Sequence, residues 1–543
     1  MKSTSSRSVL SRRHLLGLGL TTAVASGALA ACTSSGTSGT GGPASAVDTD
    51  ILPTYRSFDE VVPDLAPQPG LTSSGFFRYP DPVAFSDSAP GDGRPINAMV
   101  QTFLAIPPAL PQNAYWQEMN RRLGSDLSLS ITPAGEYAAK FATAVAGGTL
   151  PDMFHVGPTP SLPAFMEARA TDLTDHLSGD AILNYPGLAN LETDCWKQCV
   201  INGRIMGIPI ARGIIGVPVL YARSDVLRER GIDEDPASFA DLLELCRELT
   251  APQANTWALT GVPMAYLRGM LDLPERWALE DGSFVSTLTD ERHLQALEAG
   301  RALEAAGTVN PDSAVAPLSQ KKQWLAAQTC ALHADSFVSW FGLYQQNAGL
   351  DGFEIHALSV PGYDGGQGSQ VQPIPNVGIS AINIDAADRV ESLLAVASWF
   401  AAPFGTEEYL FQKYGIEGTH FTWDDGDPVV DPDTANQVEL GTRYIADATR
   451  VLYAPGRSEV VEQAYDYQSR SNTKVIKDPT LGLYSETASR HYDSLNGALL
   501  SLELDILAGR EPVTAWTAGV EEFMAGGGTE IIDEYRRAHA EAG

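Results

Sequence analysis

Sequence patterns that would place a nucleophile, a metal or a phosphate in an active site are absent from this chain of 543 residues. It contains no G-x-S-x-G, no H-E-x-x-H and no G-x-x-x-x-G-K-[ST] motif. Gly365, Gly366 and Gly368 approach a dinucleotide-binding loop, but they follow the turn-like stretch 361–364 and no third spaced glycine completes the motif. We therefore predict no catalytic residue and no cofactor. The 67 Asp and Glu residues still leave open a facing pair of carboxylates of the kind that cleaves glycosides.

A cluster of aspartates near position 430 is the best candidate for a metal site. Its members are Asp424, Asp425, Asp427, Asp431 and Asp433. Such a cluster could bind calcium, but Asp425-Gly426 is also the residue pair that a tight β-hairpin requires, and Pro-Val-Val follows it. We predict a hairpin here and no metal site.

A carboxylate and an aromatic ring lie close together in segment 414–423, just before this hairpin. Glu417 stands between two glycines, and His420 and Trp423 lead into the hairpin. An aromatic ring can cover the apolar CH face of a sugar while a carboxylate accepts from its hydroxyls. The alternative is that the aromatic residues seal the hairpin onto the protein, because Phe421 and Trp423 fall on one face of a strand.

The first fifty residues carry a pattern for export and lipid attachment. Arg12-Arg13 precedes an uncharged apolar run that reaches Ala28, and the run ends in Leu-Ala-Ala before Cys32. We interpret residues 1–31 as a twin-arginine lipoprotein signal peptide and Cys32 as the lipidated first residue of the mature chain, anchored on the extracytoplasmic face of the cell membrane. The alternative is an ordinary cysteine beside a chance apolar stretch. Small and polar residues follow up to position 47, so residues 32–50 are predicted to be a flexible tether.

Charge and hydropathy exclude several classes of partner. The formal net charge of −31 argues against binding nucleic acid or anionic lipid. After the signal, no segment supplies the roughly 18 uncharged apolar residues that a spanning helix needs; the nearest is 393–404. The remaining cysteines are Cys195, Cys199, Cys246 and Cys330. Their pairing is open, and we expect thiols packed in the core.

Alternating strand and helix patterns begin at Ile96. We predict strands at 96–103, 127–131 and 153–156 and helices at 115–123 and 135–146. This alternation predicts an α/β fold with a parallel sheet flanked by helices. About five hundred residues exceed what one hydrophobic core usually serves, so residues 96–543 are predicted to form two interleaved lobes, with an irregular segment at 51–95.

The second half of the chain continues the pattern. Further strands are predicted at 217–221, 329–334 and 378–384, and further helices at 239–249, 290–306, 386–400 and 406–412. Ser238 and Asp241 suit the start of the first of these helices as a capping box. Three glycines at 526–528 should break the C-terminal helix before 529–542.

Six segments, in order, resemble the family-one extracellular solute-binding proteins of ABC importers, and the resemblance runs from about Ile96 to the C-terminus. They are AGGTLPDM at 146–153, DLTD at 172–175, NGRIMGIP at 202–209, LYARSDVL at 220–227, ALHAD at 331–335 with Trp340, and YGIEGTHFTW at 414–423. The last segment looks like the longer subgroup that includes lipoproteins for oligosaccharides and alginate.

The resemblance implies two α/β lobes joined by crossing strands, and it implies that the lobes close on a ligand by a hinge motion. It implies capture of an oligosaccharide or related polar solute for delivery to ABC permease subunits, and we expect a monomer. Members of the subgroup often hold calcium in a loop that corresponds here to 250–257. That loop has no carboxylate in this chain, so we predict no metal.

Ligands of open α/β sheets lie beyond the carboxyl ends of the strands, which points to the loops after these strands. The candidate ligand-binding residues chosen on this basis are Asn113, His155, Arg212, Asp335 and Trp340, with Trp277 as an aromatic candidate outside these loops; Glu417, His420 and Trp423 complete the set. For each tryptophan, packing in the core is an equally good explanation, and for His155 a structural role is the stronger one.

Two other functions remain compatible with the sequence. One is a secreted, glycoside-active lipoprotein enzyme, and the other is a purely structural surface lipoprotein. Binding of oligosaccharide without turnover separates the predicted function from both.

Overall fold

The computed structural model describes residues 49–159, 161–213, 219–232, 235–347, 349–372 and 374–542. The predicted signal peptide, the Cys32 lipidation site and nearly all of the tether lie outside these residues. Two main sheets organise the described part of the chain. Their strands are β1 (Ile96–Thr102), β2 (Leu127–Pro133), β3 (Met153–His155), β4 (Ile208–Ala211), β5 (Val219–Arg223), β6 (Trp257–Leu259), β7 (Cys330–Asp335), β8 (Ile355–Leu358) and β9 (Asn376–Ile382).

Sheet one has the strand order β2-β1-β3-β9-β4. Strand β1 runs parallel to both β2 and β3, as the alternation of strands and helices predicts. Strand β9 runs antiparallel to β3 and β4, which makes the sheet mixed rather than parallel throughout. Neighbouring strands become parallel when a helical crossover connects them. Strand β9 instead enters sheet one directly from lobe two, so its direction is not constrained in this way.

Sheet two has the order β8-β5-β7-β6, with β5 antiparallel to β7 and β8 and β7 parallel to β6. The chain passes from sheet one to sheet two between β4 and β5 and returns between β8 and β9. Each sheet has its own large hydrophobic core. The chain therefore forms two lobes, which we call lobe one and lobe two after their sheets, and all described residues belong to one compact unit.

Helices flank both sheets. Those of eight or more residues within the described ranges are α1 (Ala114–Leu123), α2 (Ala134–Gly147), α3 (Leu162–Arg169), α4 (Phe239–Glu248), α5 (Glu291–Ala305), α6 (Leu318–Ala326), α7 (Ser339–Gln346), α8 (Val390–Phe400), α9 (Glu407–Tyr414), α10 (Ser458–Ser471), α11 (Glu486–Leu507), α12 (Ala515–Phe523) and α13 (Thr529–Ala542). Shorter helices are Thr174–Leu177, Pro186–Ala189, Thr193–Trp196, Ser224–Glu229 and Met264–Met270. Three-residue and longer 3-10 turns include Ile384–Arg389, which leads into α8.

Five short strand pairs complete the described structure. They are Gly75–Phe76 with Leu452–Tyr453, Val200–Ile201 with Arg204–Ile205, Trp277–Glu280 with Ser283–Ser286, Gln370–Gln372 with Val475–Lys477, and Phe421–Asp424 with Asp427–Val430. Residues 51–95 contain little regular structure, and Phe76 and Tyr79 in this segment pack against Phe404 at 4.6 and 4.8 Å between ring centroids.

Local sequence signals for helix ends and turns are confirmed. The Ser238 hydroxyl accepts from the Asp241 amide at 3.2 Å at the start of α4. The helical break falls at Gly527, whose φ of 135° is open only to glycine. The predicted hairpin forms with both Asp425 and Gly426 at positive φ, which the tight turn demands.

The four cysteines of the described chain are buried free thiols. Cys195 and Cys199 lie in the core of lobe one and Cys246 in that of lobe two, as expected for core thiols. Burial raises the pKa of Cys246 to about 12. None of the helices formed by described residues combines the length and apolarity that crossing a membrane requires.

Candidate ligand-binding cleft

A cavity of about 860 Å³ lies between the two lobes. Lobe one contributes Gln101 at the carboxyl end of β1, His155 at the end of β3, and the β9 segment Val377 to Ile379. Lobe two contributes residues 274–277 and 476–480 and the start of α11. The parallel strands β1 and β3 both end here, as ligand sites of α/β sheets generally require.

His155 is fixed in the wall of lobe one. Its Nε2 lies 3.2 Å from Nε2 of Gln101, and its backbone oxygen accepts from the Tyr137 hydroxyl at 2.6 Å. Gly378 makes room for the ring, because a Cβ there would lie 2.5 Å from Cε1 of His155. The side chain is 6% exposed, and burial lowers its pKa to about 4, so the imidazole is neutral at neutral pH.

Aromatic side chains line the cavity from both lobes. They are Tyr137, Trp277, Tyr484, Tyr492 and Tyr535. The Trp277 ring packs between Phe284 and Tyr535, at 5.7 and 5.8 Å between centroids. The Arg276 guanidinium lies over the Tyr492 ring at 5.3 Å. The rings are thus held by neighbours and give the cavity rigid apolar faces.

Charged side chains of both signs line the same cavity. The basic ones are Lys197, Arg276 and Lys477, and the acidic ones are Glu275, Asp478 and Asp493. Several are already engaged: Lys197 pairs with Asp194 at 2.6 Å, and Asp478 accepts from the amide and hydroxyl of Thr480 at 2.9 and 2.6 Å. With hydroxyls and amides beside the rings, the cavity suits a ligand that has both polar edges and apolar faces.

At one rim of the cavity the lobes touch directly. The Ser161 hydroxyl donates to Glu486 Oε1 at 2.5 Å, and the Leu162 amide donates to the Tyr484 hydroxyl at 3.2 Å. Arg490 forms an ion pair with Glu486 and lies 3.5 Å from the Ser161 hydroxyl. We call Ser161, Leu162, Tyr484, Glu486 and Arg490 the rim contact; it joins the start of α3 to the start of α11.

The sequence pattern of the bacterial extracellular solute-binding protein family matches residues 111–403, more than half of the chain. The chain belongs to this family. The resemblance drawn from the six sequence segments is therefore confirmed.

Relatives of this solute-binding protein agree with that assignment. The polygalacturonan/rhamnogalacturonan-binding protein YtcQ of Bacillus subtilis is 20% identical over 80% of this chain and 89% of its own. Lipoprotein LipO of the same organism is 18% identical over 84% and 94%. The solved HMO-binding ABC-transporter-associated solute-binding protein of Bifidobacterium longum infantis shares the fold, with a TM-score of 0.60, 14% identity and coverage of 83% of this chain and 99% of its own.

Two of the nine candidate residues, His155 and Trp277, line the interlobe cavity of this solute-binding protein. Asn113 is buried at the start of α1, where it accepts from the Trp116 amide at 2.9 Å and donates to the backbone of Gln437 at 3.0 Å. Trp340 is 1% exposed and packs against Tyr221 at 5.6 Å between centroids.

The other two candidates from the strand-end loops also lie outside the cavity lining. Asp335 accepts from the Ser336 amide at 2.7 Å and pairs with Lys322 at 3.1 Å and His333 at 3.5 Å. Burial raises the pKa of Asp335, but hydrogen bonds from His333 and Ser336 and the charge of Lys322 outweigh it, and the pKa falls well below its usual range. Arg212 is half-buried where the chain leaves β4, and its amide donates to Pro375 at 2.8 Å.

The hairpin candidates Glu417, His420 and Trp423 lie together, away from the residues that line the cavity. Glu417 is exposed, whereas His420 is fully buried and its Nδ1 accepts from the Ile416 amide at 3.1 Å. Trp423 is 37% exposed and its ring lies 5.9 Å from that of Tyr79 in the N-terminal segment.

Most cavity-lining residues of lobe two, among them Tyr484, Tyr492 and Tyr535, were not predicted from the sequence. They lie after the short strand 475–477 and on helices α11 and α13, not at the ends of the main strands. The available signal was the turn-forming run Asp478-Pro479-Thr480 followed closely by tyrosines.

Proposed function

We propose that this protein is the substrate-binding component of an ABC importer and that it captures an oligosaccharide in the cleft between its lobes. The observation that carries the proposal is the interlobe cavity of about 860 Å³, which is walled by five aromatic rings and by polar groups of both lobes. Its volume is within the range of small-molecule sites. Family membership supports a role in binding a solute outside the cytoplasm.

The chemistry of the cavity suits a sugar. Each sugar ring has apolar CH faces, which pack on aromatic rings such as Trp277 and Tyr492, and hydroxyls, which pair with planar polar groups such as Gln101. The names of YtcQ and of the Bifidobacterium protein describe saccharide-binding proteins, which supports the same ligand class here. His155 and Trp277, the two sequence candidates that line the cavity, are proposed here as contacts to the sugar.

Attachment to the membrane is the second part of the proposal. A diacylglyceryl group on Cys32 would hold the protein at the extracytoplasmic face of the membrane, where permease subunits of the importer receive the solute. The similarity to lipoprotein LipO supports this anchor.

Titration calorimetry against a panel of oligosaccharides, with product analysis of the same mixtures, tests the function. We expect binding with negative heat-capacity change, because apolar surface is buried, and recovery of the oligosaccharide unchanged. Release of shorter sugars would instead support a glycoside-active enzyme, and absence of binding to every saccharide would contradict the proposal.

A further inference from the structure

A cluster of basic side chains lies beside the cleft, where the chain leaves β4. Lys413, Arg443 and Arg450 act on one buried carboxylate, that of Asp447, and Arg212 adjoins Arg450. The whole sequence has 36 Lys and Arg residues against 67 Asp and Glu. A local excess of positive charge in such an acidic chain calls for a physical reason.

Asp447 does not neutralise this cluster. Its Oδ1 lies 2.6 Å from Nζ of Lys413 and also accepts from the Ala448 amide at 3.1 Å. Arg450 reaches the other oxygen only at 3.9 Å, the outer limit of an ion pair, and its buried Nε has no hydrogen-bond partner among the described residues. Arg443 is also affected by Glu439, and its own hydrogen bond is to the Tyr444 hydroxyl at 3.2 Å. Arg450 is therefore left with at least one donor, Nε, that has no acceptor within the described part of the chain.

Arg212 lies next to Arg450. The Arg450 side chain passes over Gly213, 3.3 Å from the position of a Cβ there. Burial and then the charge of Arg450 lower the pKa of Arg212. Within the described ranges, no carboxylate lies within ion-pair distance of its guanidinium. Two like charges held together in a half-buried place are unfavourable unless an anion joins them.

The arginine pair adjoins the lobe-one wall of the cleft. The Arg212 amide is bonded to Pro375, two residues before Val377, which lines the cavity. On the other side of the cluster, the Tyr444 ring lies 4.9 Å from that of His155. Neither arginine is among the residues that line the cavity, so a ligand must extend past the lobe-one wall to contact the pair.

We propose that Arg212 and Arg450 together bind a carboxylate of the captured saccharide, so that the solute is an acidic oligosaccharide such as an oligouronate. This inference rests on the proposed function above. A guanidinium matches the planar geometry of a carboxylate and binds it through two parallel hydrogen bonds. Because the chain has a formal net charge of −31, an acidic saccharide is repelled at long range and needs a local basic site.

Trigalacturonate and its methyl ester are matched probes, since they differ in the charge of the carboxyl groups. By calorimetry we expect the acid to bind at least about tenfold more tightly than the ester, the difference that charge-assisted hydrogen bonds provide. The preference should shrink as salt concentration rises, because salt screens partly exposed charges.

Arg212→Gln and Arg450→Gln, each made separately, should reduce the preference for the acid to within about twofold of parity, while Arg212→Lys should keep part of it. Arg94→Gln is the charge-matched control. Arg94 pairs with Asp92 at 2.8 Å and Asp388 at 2.9 Å, near the amino end of β1 and so at the opposite edge of sheet one. The Tm of unliganded Arg212→Gln should not fall, because the substitution removes the repulsion between Arg212 and Arg450. If Arg212 served only to stabilise the fold, the Tm of this variant would be lower than that of the parent.

Four outcomes overturn the inference. Equal affinity for the acid and its ester, or an unchanged preference in both glutamine variants, would contradict the arginine site and leave the proposed function intact. Binding of neutral oligosaccharides but not of acidic ones would also contradict the arginine site and leave the proposed function intact. If no saccharide of either kind binds, the inference and the proposed function fail together.

Discussion

At the scale of single residues, Tyr492 provides the sharpest test of where the sugar lies. Its ring faces the cavity and is fixed by Arg276. We expect Tyr492→Ala to weaken oligosaccharide binding about tenfold, since an aromatic contact with its buried area contributes about 1.5 kcal/mol. Calorimetry on the purified variant measures this change.

Trp423→Ala is the matched control for Tyr492→Ala. Trp423 is partly exposed and lies outside the cavity lining, so we expect its removal to leave affinity within about twofold. A loss of binding in Trp423→Ala with normal binding in Tyr492→Ala would move the site to the hairpin, next to Glu417 and His420.

His155 makes stability depend on pH. Its pKa is about 4 in the folded protein and about 6.5 in an unfolded chain, so the unfolded state binds more protons between these values. The contribution of neutral His155 is complete above pH 6.5 and is lost as pH falls toward 4, by about 3 kcal/mol in total. In urea titrations across this range, His155→Gln should show a shallower fall in the free energy of unfolding than the parent; an identical slope would contradict the buried, neutral ring.

Two of the sequence candidates, His155 and Trp277, line the cavity, and for His155 the physical reason is clear. His155 ends a parallel strand, and the strand-end rule finds such residues directly. The same rule selected Asn113, because Asn113 follows a strand. In the structure Asn113 instead caps the helix that begins at the next residue, a position that asparagine favours. The tyrosines of lobe two could not be found this way, because they reach the cleft only through the packing of the second lobe onto the first.

At the scale of elements, local sequence patterns predicted most of the helices and strands. The alternation of strands and helices predicted β1 to β3, and the Ser238 capping box predicted the start of α4. The place of β9 in sheet one was not predictable, since it depends on pairing with strands more than 160 residues earlier. Helix α8 also begins later than predicted, at Val390, because Ile384–Arg389 forms a 3-10 turn.

The rim contact should favour the closed arrangement of the lobes. Glu486 accepts from Ser161 across the cleft, a hydrogen bond that with the Arg490 charge lowers its pKa. We expect Glu486→Ala to increase the radius of gyration of the unliganded protein in small-angle scattering and to weaken ligand binding a few-fold. Glu530→Ala, which removes an exposed acid from the first turn of α13, is the control. Identical scattering by Glu486→Ala and the parent would show that the rim contact does not hold the lobes.

At the scale of the whole molecule, the chain crosses from one lobe to the other between β4 and β5, between β8 and β9, and again between α9 and α10. A solute that touches both walls gains its full set of contacts only when the lobes are together, so binding must favour closure. The parent protein should therefore have a smaller radius of gyration with saturating oligosaccharide than without it.

The predicted anchor is chemically separate from the lobes. Cys32→Ala should release the protein from the membrane fraction without changing its Tm, because lipidation needs the thiol and the predicted tether is rich in small and polar residues. Arg12→Lys combined with Arg13→Lys should block export through the twin-arginine route. A Cys32→Ala protein that still sediments with membranes would contradict the lipoprotein assignment.

A crystal structure of the protein grown with a bound oligosaccharide is the most direct test of solute capture between the lobes. We expect an intact saccharide between the lobes, with a sugar face on Trp277 or Tyr492 and polar contacts to Gln101 or His155. A saccharide bound outside the interlobe cavity, or one cleaved within it, would contradict capture without turnover in the cleft.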